Sequence, residues 1–214
     1  MKEKGESMGK SKLPNKGYKF LGIFLKPLFR FYYNPRIINK EVIPKEGPII
    51  ICGNHMHIYD QCPVIISTKR VVHYMAKKEY FDGKLKWFFK MTGCIPVNRS
   101  IKDENAKNLA LEVLEDGGAI GLFPEGTRNK TKAFLLPFKF GAVSMAKKTN
   151  ATIVPFGITG TYKFRSKNLT VRFGEPFKVG DMTLEEANEK LYKEIERSMK
   201  KNLKEEKKRW KNRT

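Results

Sequence analysis

The sequence predicts an α/β domain with a largely parallel central sheet, helices on both faces, and an amphipathic N-terminal helix in front of it. Short apolar runs alternate with amphipathic helical patterns, and polar turn segments follow several of the runs. Strands joined by helices pair in parallel, so their turns collect at the carboxyl ends of the strands. The predicted strands lie near residues 49–53, 71–75, 95–97, 119–123, 152–157 and 169–173.

The first predicted helix covers residues 18–33 and is strongly apolar. Its charged residues, Lys19, Lys26 and Arg30, fall on one narrow stripe of a helical wheel, and ten large apolar side chains fill the rest. This pattern is typical of a helix in a membrane interface, with its basic side toward the headgroups and its aromatic residues in the acyl boundary. The alternative is a helix packed on the core with Pro27 as a kink, and each interpretation can hold for a different part of the helix.

This segment is not predicted to span a membrane, because a span needs about 20 apolar residues and charges interrupt it at residues 19, 26 and 30. It is also a poor secretory signal, since Lys26 breaks the apolar part and no small-residue cleavage site follows. The cysteines, Cys52, Cys62 and Cys94, are odd in number and widely spaced. We therefore expect reduced thiols in a cytosolic protein.

The later helices carry boundary signals. Residues 103–116 place alanine, leucine and valine on one face and end at a pair of glycines, and residues 138–148 form a further helix. Thr183 and Glu186 predict a capping box at the start of a long helix, with an apolar stripe that packs down and lysines that face outward.

The chain is strongly basic, with 43 Lys and Arg residues against 22 acidic residues and a formal net charge of +21. Residues 1–40 contribute +8 of this charge and residues 200–214 contribute +6. Such an excess needs an anionic partner. No nucleic-acid-binding motif accompanies it, so we expect an anionic membrane surface as the partner and no nucleic acid.

Asn54, His55 and Asp60 follow the first predicted strand. Five residues of continuous helix would place His55 and Asp60 about 140° apart, so a turn must bring them together. Asp60 can then cap the helix that begins near Gln61, with its carboxylate facing back toward the imidazole. The carboxylate would fix the tautomer of His55 and leave the second ring nitrogen free to take a proton from a substrate hydroxyl.

The histidines and Cys52 also admit other interpretations. His55 and His57 resemble a metal-ligand pair of barrel hydrolases, but only His73 remains as a further histidine. The chain is also shorter than the roughly 250 residues of that barrel, so no metal is expected. His57 is better interpreted as a wall of the pocket and His73 as an ordinary strand residue. Cys52 is interpreted as a small apolar strand residue rather than a nucleophile.

A second polar segment, residues 123–128 (FPEGTR), follows the strand near residues 119–123. Gly126 lets backbone amides approach an anion closely, and Arg128 offers a guanidinium suited to phosphate. Glu125 would repel phosphate, so we expect it to accept a hydroxyl proton or to hold an arginine in place. Together the two segments predict acyl transfer to a phosphorylated alcohol in a water-poor site.

Four ordered blocks give the chain a resemblance to the glycerolipid acyltransferases, and most closely to their 1-acylglycerol-3-phosphate acyltransferase branch. The blocks are residues 54–60, 93–99, 123–128 and 153–156, within a region from about residue 47 to 176. The resemblance implies that His55 is the general base and Asp60 its charge partner. His57 departs from the family, which commonly has a small residue, often Ser, at this position.

The same resemblance assigns the remaining site residues. Arg99 matches the phosphate-binding arginine of the second block, and Pro155 matches the fourth block, near the acyl-donor side. Acceptor binding is implied for the third-block residues, and Asn54 belongs with the substrate-binding residues of the first block. The third-block residues are Glu125, Gly126, Thr127 and Arg128.

We therefore expect a peripheral enzyme on the cytoplasmic face of the cell membrane. It would transfer a fatty acyl group from acyl-CoA or acyl carrier protein to a lysophospholipid acceptor, 1-acylglycerol 3-phosphate, giving phosphatidic acid in phospholipid synthesis. The thioester is a co-substrate, and no cofactor is expected. The chain would divide into a membrane-association segment at 1–40, an acyltransferase domain at 41–205 and a frayed basic tail at 206–214.

Two alternatives remain. The acceptor could be glycerol 3-phosphate or another lysolipid. The protein could instead be a non-catalytic basic protein that binds lipid or nucleic acid, but pure binding has no use for the pair of His55 and Asp60.

Overall fold

The computed structural model describes residue 13 and residues 16–84, 86–98, 100–101 and 103–212. Within them the chain forms one sheet in the order β1-β7-β6-β2-β5-β3-β4. The strands are β1 (Arg36–Ile38), β2 (Ile49–Gly53), β3 (Val72–Lys77), β4 (Ile95–Val97), β5 (Ala119–Leu122), β6 (Thr152–Thr159) and β7 (Thr170–Phe173). All neighbours pair in parallel except β6 and β7, which are antiparallel. The predicted, largely parallel sheet is confirmed.

The predicted strands all occur, and β2 and β4 have the predicted bounds. The strand that the sequence did not predict is β1, which is only three residues long and half-buried, so it shows no apolar alternation. It pairs with β7 at the edge of the sheet. Because the connection from β6 reverses the chain, β7 and β1 run opposite to the other strands.

The helices lie between the strands as expected for alternating elements. They are α1 (Lys16–Tyr33), α2 (Gln61–Ile65), α3 (Lys86–Met91), α4 (Glu104–Glu115), α5 (Gly141–Thr149) and α6 (Leu184–Lys211). The sequence predicted all of them except the short helix α3. At the start of α6, Thr183 and Glu186 form the predicted capping box.

Different helices cover the two faces of the sheet. Helices α4, α5 and α6 pack on the face that carries Ile50 of β2. The opposite face carries Ile49 and Ile51 and is covered by Val64 of α2 and by Tyr33 of α1. The alternation of β2 between two cores explains why its sequence is a continuous apolar run. The prediction of helices on both faces is confirmed.

Helix α6 lies close to the sheet. A Cβ at Gly157 of β6 would be 2.8 Å from the backbone nitrogen of Met199, so glycine is needed for this approach. The tail predicted to fray from residue 206 is helical as far as Lys211. Basic residues in the last turn favour this extension, because they face the negative end of the helix dipole.

The inner side of α1 packs on the protein. Tyr18 is buried, and a Cβ at Gly17 would be 1.9 Å from Cγ of Met91 in α3. Lys26 donates from Nζ to the carbonyl oxygen of Thr68 at 3.0 Å. The predicted basic stripe toward lipid headgroups is therefore wrong at Lys26, whose amino group is held by a backbone acceptor of the protein.

The outer side of α1 is apolar and exposed, which is the pattern expected for a helix in a membrane interface, whereas its inner side is packed on the core. Its exposed large side chains are Phe20, Ile23, Phe24, Leu25, Leu28, Phe31 and Tyr32. No helix in the described part of the chain combines the length and apolar character that crossing a membrane requires.

Candidate active site

His55 lies directly beyond β2, at the edge where the parallel strands end. Gly53 ends the strand, and a side chain there would collide with the ring of Phe156, 2.2 Å from the Cβ position. The side-chain amide of Asn54 then donates to the carbonyl oxygen of Ile158 at 3.0 Å and accepts from the backbone N–H of Ile158 at 2.7 Å. These two bonds continue the pairing of β2 with β6 and fix the point at which the chain turns toward His55.

The protein holds His55 from several directions. Its backbone N–H donates to Oε1 of Glu125 at 2.7 Å, and its carbonyl oxygen accepts from the N–H of Asn129 at 2.7 Å. Its imidazole is stacked on the ring of Phe123, with centroids 4.1 Å apart and planes inclined by 8°. Both the backbone and the ring plane of His55 are thereby fixed by residues of the segment that follows β5.

Asp60 is fully buried and accepts four hydrogen bonds. Its Oδ2 lies 2.8 Å from Nδ1 of His55 and accepts from the backbone N–H groups of Met56 at 2.6 Å and His57 at 2.7 Å. Its Oδ1 accepts from the hydroxyl of Tyr162 at 2.9 Å. The chain from residue 54 to 60 therefore wraps around this carboxylate.

The carboxylate faces the imidazole, as the sequence predicted. The predicted role of Asp60 as a side-chain cap of α2 is wrong, because its oxygens are taken by these donors and the side chain makes no capping bond. A carboxylate that accepts from Nδ1 places the proton on this nitrogen. The lone pair of His55 is then on Nε2, which is suited to accept a proton.

Glu125 is also buried, and both of its oxygens accept from backbone groups. Oε1 accepts from His55, and Oε2 accepts from the N–H of Leu136 at 2.9 Å. Burial raises the pKa of this carboxyl, and the two N–H donors partly offset the effect. Among the described residues Glu125 forms no ion pair with an arginine, one of the predicted roles. Its geometry instead joins the first block to the third.

The turn after Glu125 carries the other predicted residues of the third block. Gly126 has φ +71°, and a Cβ there would be 2.9 Å from Cε of Lys139. Thr127 and Arg128 follow with exposed side chains. Arg99, the predicted phosphate-binding residue of the second block, lies outside the described residues.

A cleft of about 200 Å³ opens beside His55. Residues lining it include Asn54, His55, Glu125, Asn129, Phe134 and Met199. The wall formed by residues 129–134 is braced by Asn129, whose side chain accepts from the N–H of Thr131 at 3.0 Å and donates to the carbonyl oxygen of Ala133 at 2.8 Å. The arrangement places a fixed imidazole, with Nε2 suited to accept a proton, at one side of a small, partly enclosed space.

Comparison with known proteins identifies the family of this chain. Residues 34–159, more than half of the chain, match the acyltransferase family. The chain belongs to the acyltransferase family. It is 28% identical over 180 residues to a 1-acyl-sn-glycerol-3-phosphate acyltransferase of Bacillus subtilis, covering 81% of this chain and 89% of that protein.

A second relative is a 1-acyl-sn-glycerol-3-phosphate acyltransferase of Borreliella burgdorferi, 34% identical over 148 residues. The match covers 64% of this chain and 56% of that protein. A solved 1-acyl-sn-glycerophosphate acyltransferase from Thermotoga maritima has the same fold, with a TM-score of 0.69 and 23% identity, over 86% of this chain and 78% of that one.

The thiols of this acyltransferase are not prepared as nucleophiles. Burial, followed by the negative charge of Asp60, raises the pKa of Cys62 to about 12. Burial also raises the pKa of Cys52, which lies in β2 in the sheet core. Both side chains therefore stay neutral thiols near neutral pH. The structural interpretation of Cys52 is confirmed.

Three residues considered in the sequence analysis, Pro155, His57 and His73, are not among the residues that line the cleft. Pro155 is buried within β6, opposite Cys52 of β2, and the structure does not bring it together with His55. His57 stacks on Tyr162, with ring centroids 4.5 Å apart. His73 is a buried strand residue, as predicted, with Nδ1 2.8 Å from the carbonyl oxygen of Gly93.

Sequence reasoning missed Tyr162 and Lys139. Tyr162 reaches Asp60 from 102 residues away, in a loop with no local motif, so no sequence pattern connects the two. Lys139 is closer in sequence to the third block, and the N–H of Lys139 donates to the carbonyl oxygen of Pro124 at 2.8 Å. Its position as a basic residue shortly after a predicted anion-binding turn is the sequence signal that indicates Lys139.

Proposed function

We propose that this acyltransferase moves a fatty acyl group from a thioester donor to the free hydroxyl of 1-acylglycerol 3-phosphate, giving phosphatidic acid. The observation that carries the proposal is His55, held through its backbone, ring face and Nδ1, with Nε2 left for a proton at the cleft. The relatives named as 1-acyl-sn-glycerol-3-phosphate acyltransferases support this choice of acceptor.

The chemistry follows from this geometry. The acceptor hydroxyl gives its proton to Nε2 of His55 as its oxygen forms a bond to the thioester carbonyl carbon. The tetrahedral intermediate then expels the thiolate, the C–S bond breaks, and the proton on Nε2 passes to sulfur. Asp60 stabilises the imidazolium between these steps, since its carboxylate is 2.8 Å from Nδ1. The transfer is direct and needs neither an acyl-enzyme nor a cofactor.

Recognition of the acceptor phosphate is assigned to the turn at the mouth of the cleft. Arg128 and Lys139 are exposed there, and Arg99 is the further arginine assigned by the family resemblance. Guanidinium groups bind phosphate through paired charge-assisted hydrogen bonds. The cleft of about 200 Å³ is smaller than the roughly 300 to 1,000 Å³ of sites for drug-sized ligands. It therefore suits the glycerol phosphate part of the lipid, with the acyl chains outside.

The acyl donor is acyl-CoA or acyl carrier protein. Both present the same thioester to His55, and the direct transfer is identical for each. The two donors are distinguished by supplying each one separately to the purified protein.

A peripheral position on an anionic membrane surface, on its cytoplasmic face, completes the proposal. The outer side of α1 exposes large apolar groups, including Ile23 at 66% and Phe24 at 62% exposure. A contiguous apolar patch of this kind marks a surface that leaves water. The net charge of +21 adds attraction to anionic lipid. A lysolipid acceptor stays in the bilayer, so an enzyme held there reaches it without extracting it.

The activity is tested with purified full-length protein, each thioester donor, and 1-acylglycerol 3-phosphate in anionic vesicles. Mass spectrometry should detect phosphatidic acid, and His55→Ala should lose roughly 10²- to 10⁴-fold or more in rate. Lys207→Gln, which changes an exposed cation of α6, should retain most of the activity. Glycerol 3-phosphate and a lysophospholipid without an exposed phosphate test the alternative acceptors. A folded His55→Ala protein with the wild-type rate would refute the mechanism.

The membrane position is tested by sedimentation with anionic vesicles across a salt series. The double variant Ile23→Glu and Phe24→Glu should lose the binding that high salt leaves intact, because apolar burial is insensitive to salt. Lys207→Gln on the exposed side of α6 serves as a control that removes positive charge without touching α1. Complete release of the wild type at high salt would contradict an interfacial role for α1.

A further inference from the structure

Tyr162 lies in the connection between β6 and β7 and donates its hydroxyl to Oδ1 of Asp60 at 2.9 Å. The other donors to Asp60 all lie within residues 55–57, so Tyr162 is the donor that comes from a distant part of the chain. It is also the donor that engages Oδ1, whereas His55 and the two backbone N–H groups share Oδ2. The hydroxyl thereby determines which way the carboxylate plane is turned.

The ring of Tyr162 is itself held in place. His57 stacks on it with centroids 4.5 Å apart and planes inclined by 18°. Tyr33 of α1 meets it edge to face at 5.6 Å. Burial, followed by the negative charge of Asp60, raises the pKa of Tyr162, so the hydroxyl keeps its proton and remains a donor across the physiological range.

The loop that carries Tyr162 is anchored on α1. The N–H of Arg165 donates to the carbonyl oxygen of Tyr32 at 2.8 Å, and its guanidinium lies 5.6 Å from the ring centroid of Phe31. Phe164 meets the ring of Tyr32 edge to face at 5.1 Å. These contacts fix the loop two and three residues after Tyr162, so Tyr162 does not depend on its own bond for its position.

We infer that Tyr162 is a positioning residue of the acyl transfer reaction, acting through Asp60 to hold Nδ1 of His55 and so direct Nε2 into the cleft. This inference rests on the proposed role of His55 as the base. Tyr162 does not touch the reacting atoms. Its contribution is the orientation of the carboxylate and the sharing of its negative charge.

Loss of the hydroxyl has two physical consequences. Oδ1 of Asp60 would lose its donor in a buried site, and the carboxylate would turn to find another. The negative charge that the hydroxyl now draws toward Oδ1 would act more strongly on the imidazole and favour its charged form over the neutral base. The base would then be less accurately placed and more readily blocked by acid.

Other titratable groups also face this pair and stay in place when the hydroxyl is removed. They are Glu125 beyond β5, Tyr74 of β3, Cys62 of α2 and His57 of the same loop. A difference between the wild type and a variant that lacks only the hydroxyl therefore reports on the Tyr162 to Asp60 bond.

The test compares Tyr162→Phe with Tyr33→Phe in the full-length protein. Tyr33→Phe removes a neighbouring hydroxyl and keeps the ring that packs on Tyr162. In Tyr162→Phe we expect kcat to fall about 10-fold or more, the usual effect of losing a hydrogen bond to a charged group. The KM for the acceptor should remain unchanged, and the acidic limb of the pH profile of kcat/KM should move to higher pH. Tyr33→Phe should match the wild type in all three.

A second measurement does not depend on activity. The hydrogen-bonded Nδ1 proton of His55 gives a proton NMR resonance far downfield, assigned by its loss in His55→Ala. Tyr162→Phe should shift or broaden it, and Tyr33→Phe should leave it in place. If the resonance and the pH profile of a folded Tyr162→Phe protein both match the wild type, Tyr162 is only a packing residue. If Tyr162→Phe shifts the resonance but the wild-type protein shows no acyl transfer activity, the positioning role of Tyr162 stands and the proposed function is rejected.

Discussion

The two sides of the cleft are built in opposite ways. On the base side, His55 is held by buried partners, and Asp60 and Glu125 use all four of their carboxylate oxygens as acceptors. On the side proposed to bind the acceptor phosphate, which we call the anion side, Thr127, Arg128 and Lys139 are exposed to solvent. The difference separates two tasks. In the proposed mechanism, the base must be ready before the substrate arrives, whereas the acceptor phosphate has to enter from outside and be bound by exposed cations.

This contrast has an energetic basis. Buried polar groups without partners cost free energy, so the base side is stable only when every donor has its acceptor. Exposed cations keep their hydration and can move to meet a phosphate. Substitutions on the base side should therefore reduce turnover and stability, and substitutions on the anion side should weaken acceptor binding.

The largest effect is expected for Asp60→Asn. The NH₂ group of the asparagine would face hydrogen-bond donors that are now paired with a carboxylate oxygen. The neutral side chain would also supply no negative charge to stabilise the imidazolium. We expect kcat to fall roughly 10²- to 10⁴-fold, as for the loss of general-base assistance. Steady-state kinetics of a variant shown to be folded by circular dichroism would measure this. A rate near that of the wild type would show that the carboxylate is not needed for the base.

The next effect is expected for Arg128→Ala. Removal of a charge-assisted contact to phosphate should raise the KM for the phosphorylated acceptor about 10-fold or more, with a smaller change for the acyl donor. Lys130→Ala is a matched control, because Lys130 is an exposed cation two residues away. If Arg128→Ala lowered kcat and left the acceptor KM unchanged, the distinction between the two sides of the cleft would fail.

Glu125→Gln should have an intermediate effect and test the backbone role of this carboxylate. The glutamine amide can accept from one of the two N–H groups, and its NH₂ would face the other. The unpaired N–H should cost about 1 to 3 kcal/mol of unfolding free energy, with a moderate fall in kcat because His55 is displaced. Chemical denaturation measures the first quantity. Unchanged stability together with a raised acceptor KM would instead indicate direct contact of Glu125 with the acceptor.

The smallest effect concerns pH. Because burial raises the pKa of Glu125, the folded protein binds a proton there more readily than the unfolded chain. As the pH falls through this raised pKa, the wild type should gain unfolding free energy relative to Glu125→Gln. The gain should be complete below the ordinary value of 4.5. Denaturation of both proteins at several pH values gives this difference in unfolding free energy. If the wild type lost stability relative to the variant on acidification, the prediction would be wrong.

The two long helices show how far sequence patterns reach. In α6, the capping box and the apolar stripe predicted both the start of the helix and its buried side. In α1, the pattern predicted a helix but left two orientations open, one in a membrane interface and one packed on the core. The structure packs Tyr18 and Tyr33 inward and leaves Phe24 exposed. It also turns Lys26 toward the protein.

The sequence by itself determined the alternation of strands and helices, the two polar turns at strand ends, and the need for a turn between His55 and Asp60. These features depend on residues close together in the chain, through periodicity, turn chemistry and capping. Only the tertiary structure decided that Glu125 supports the backbone of His55, that Tyr162 reaches Asp60, and that β7 runs against β6. The physical reason is that a buried polar group takes the partner that packing brings near it, and here those partners come from strands and loops 70 or 102 residues away.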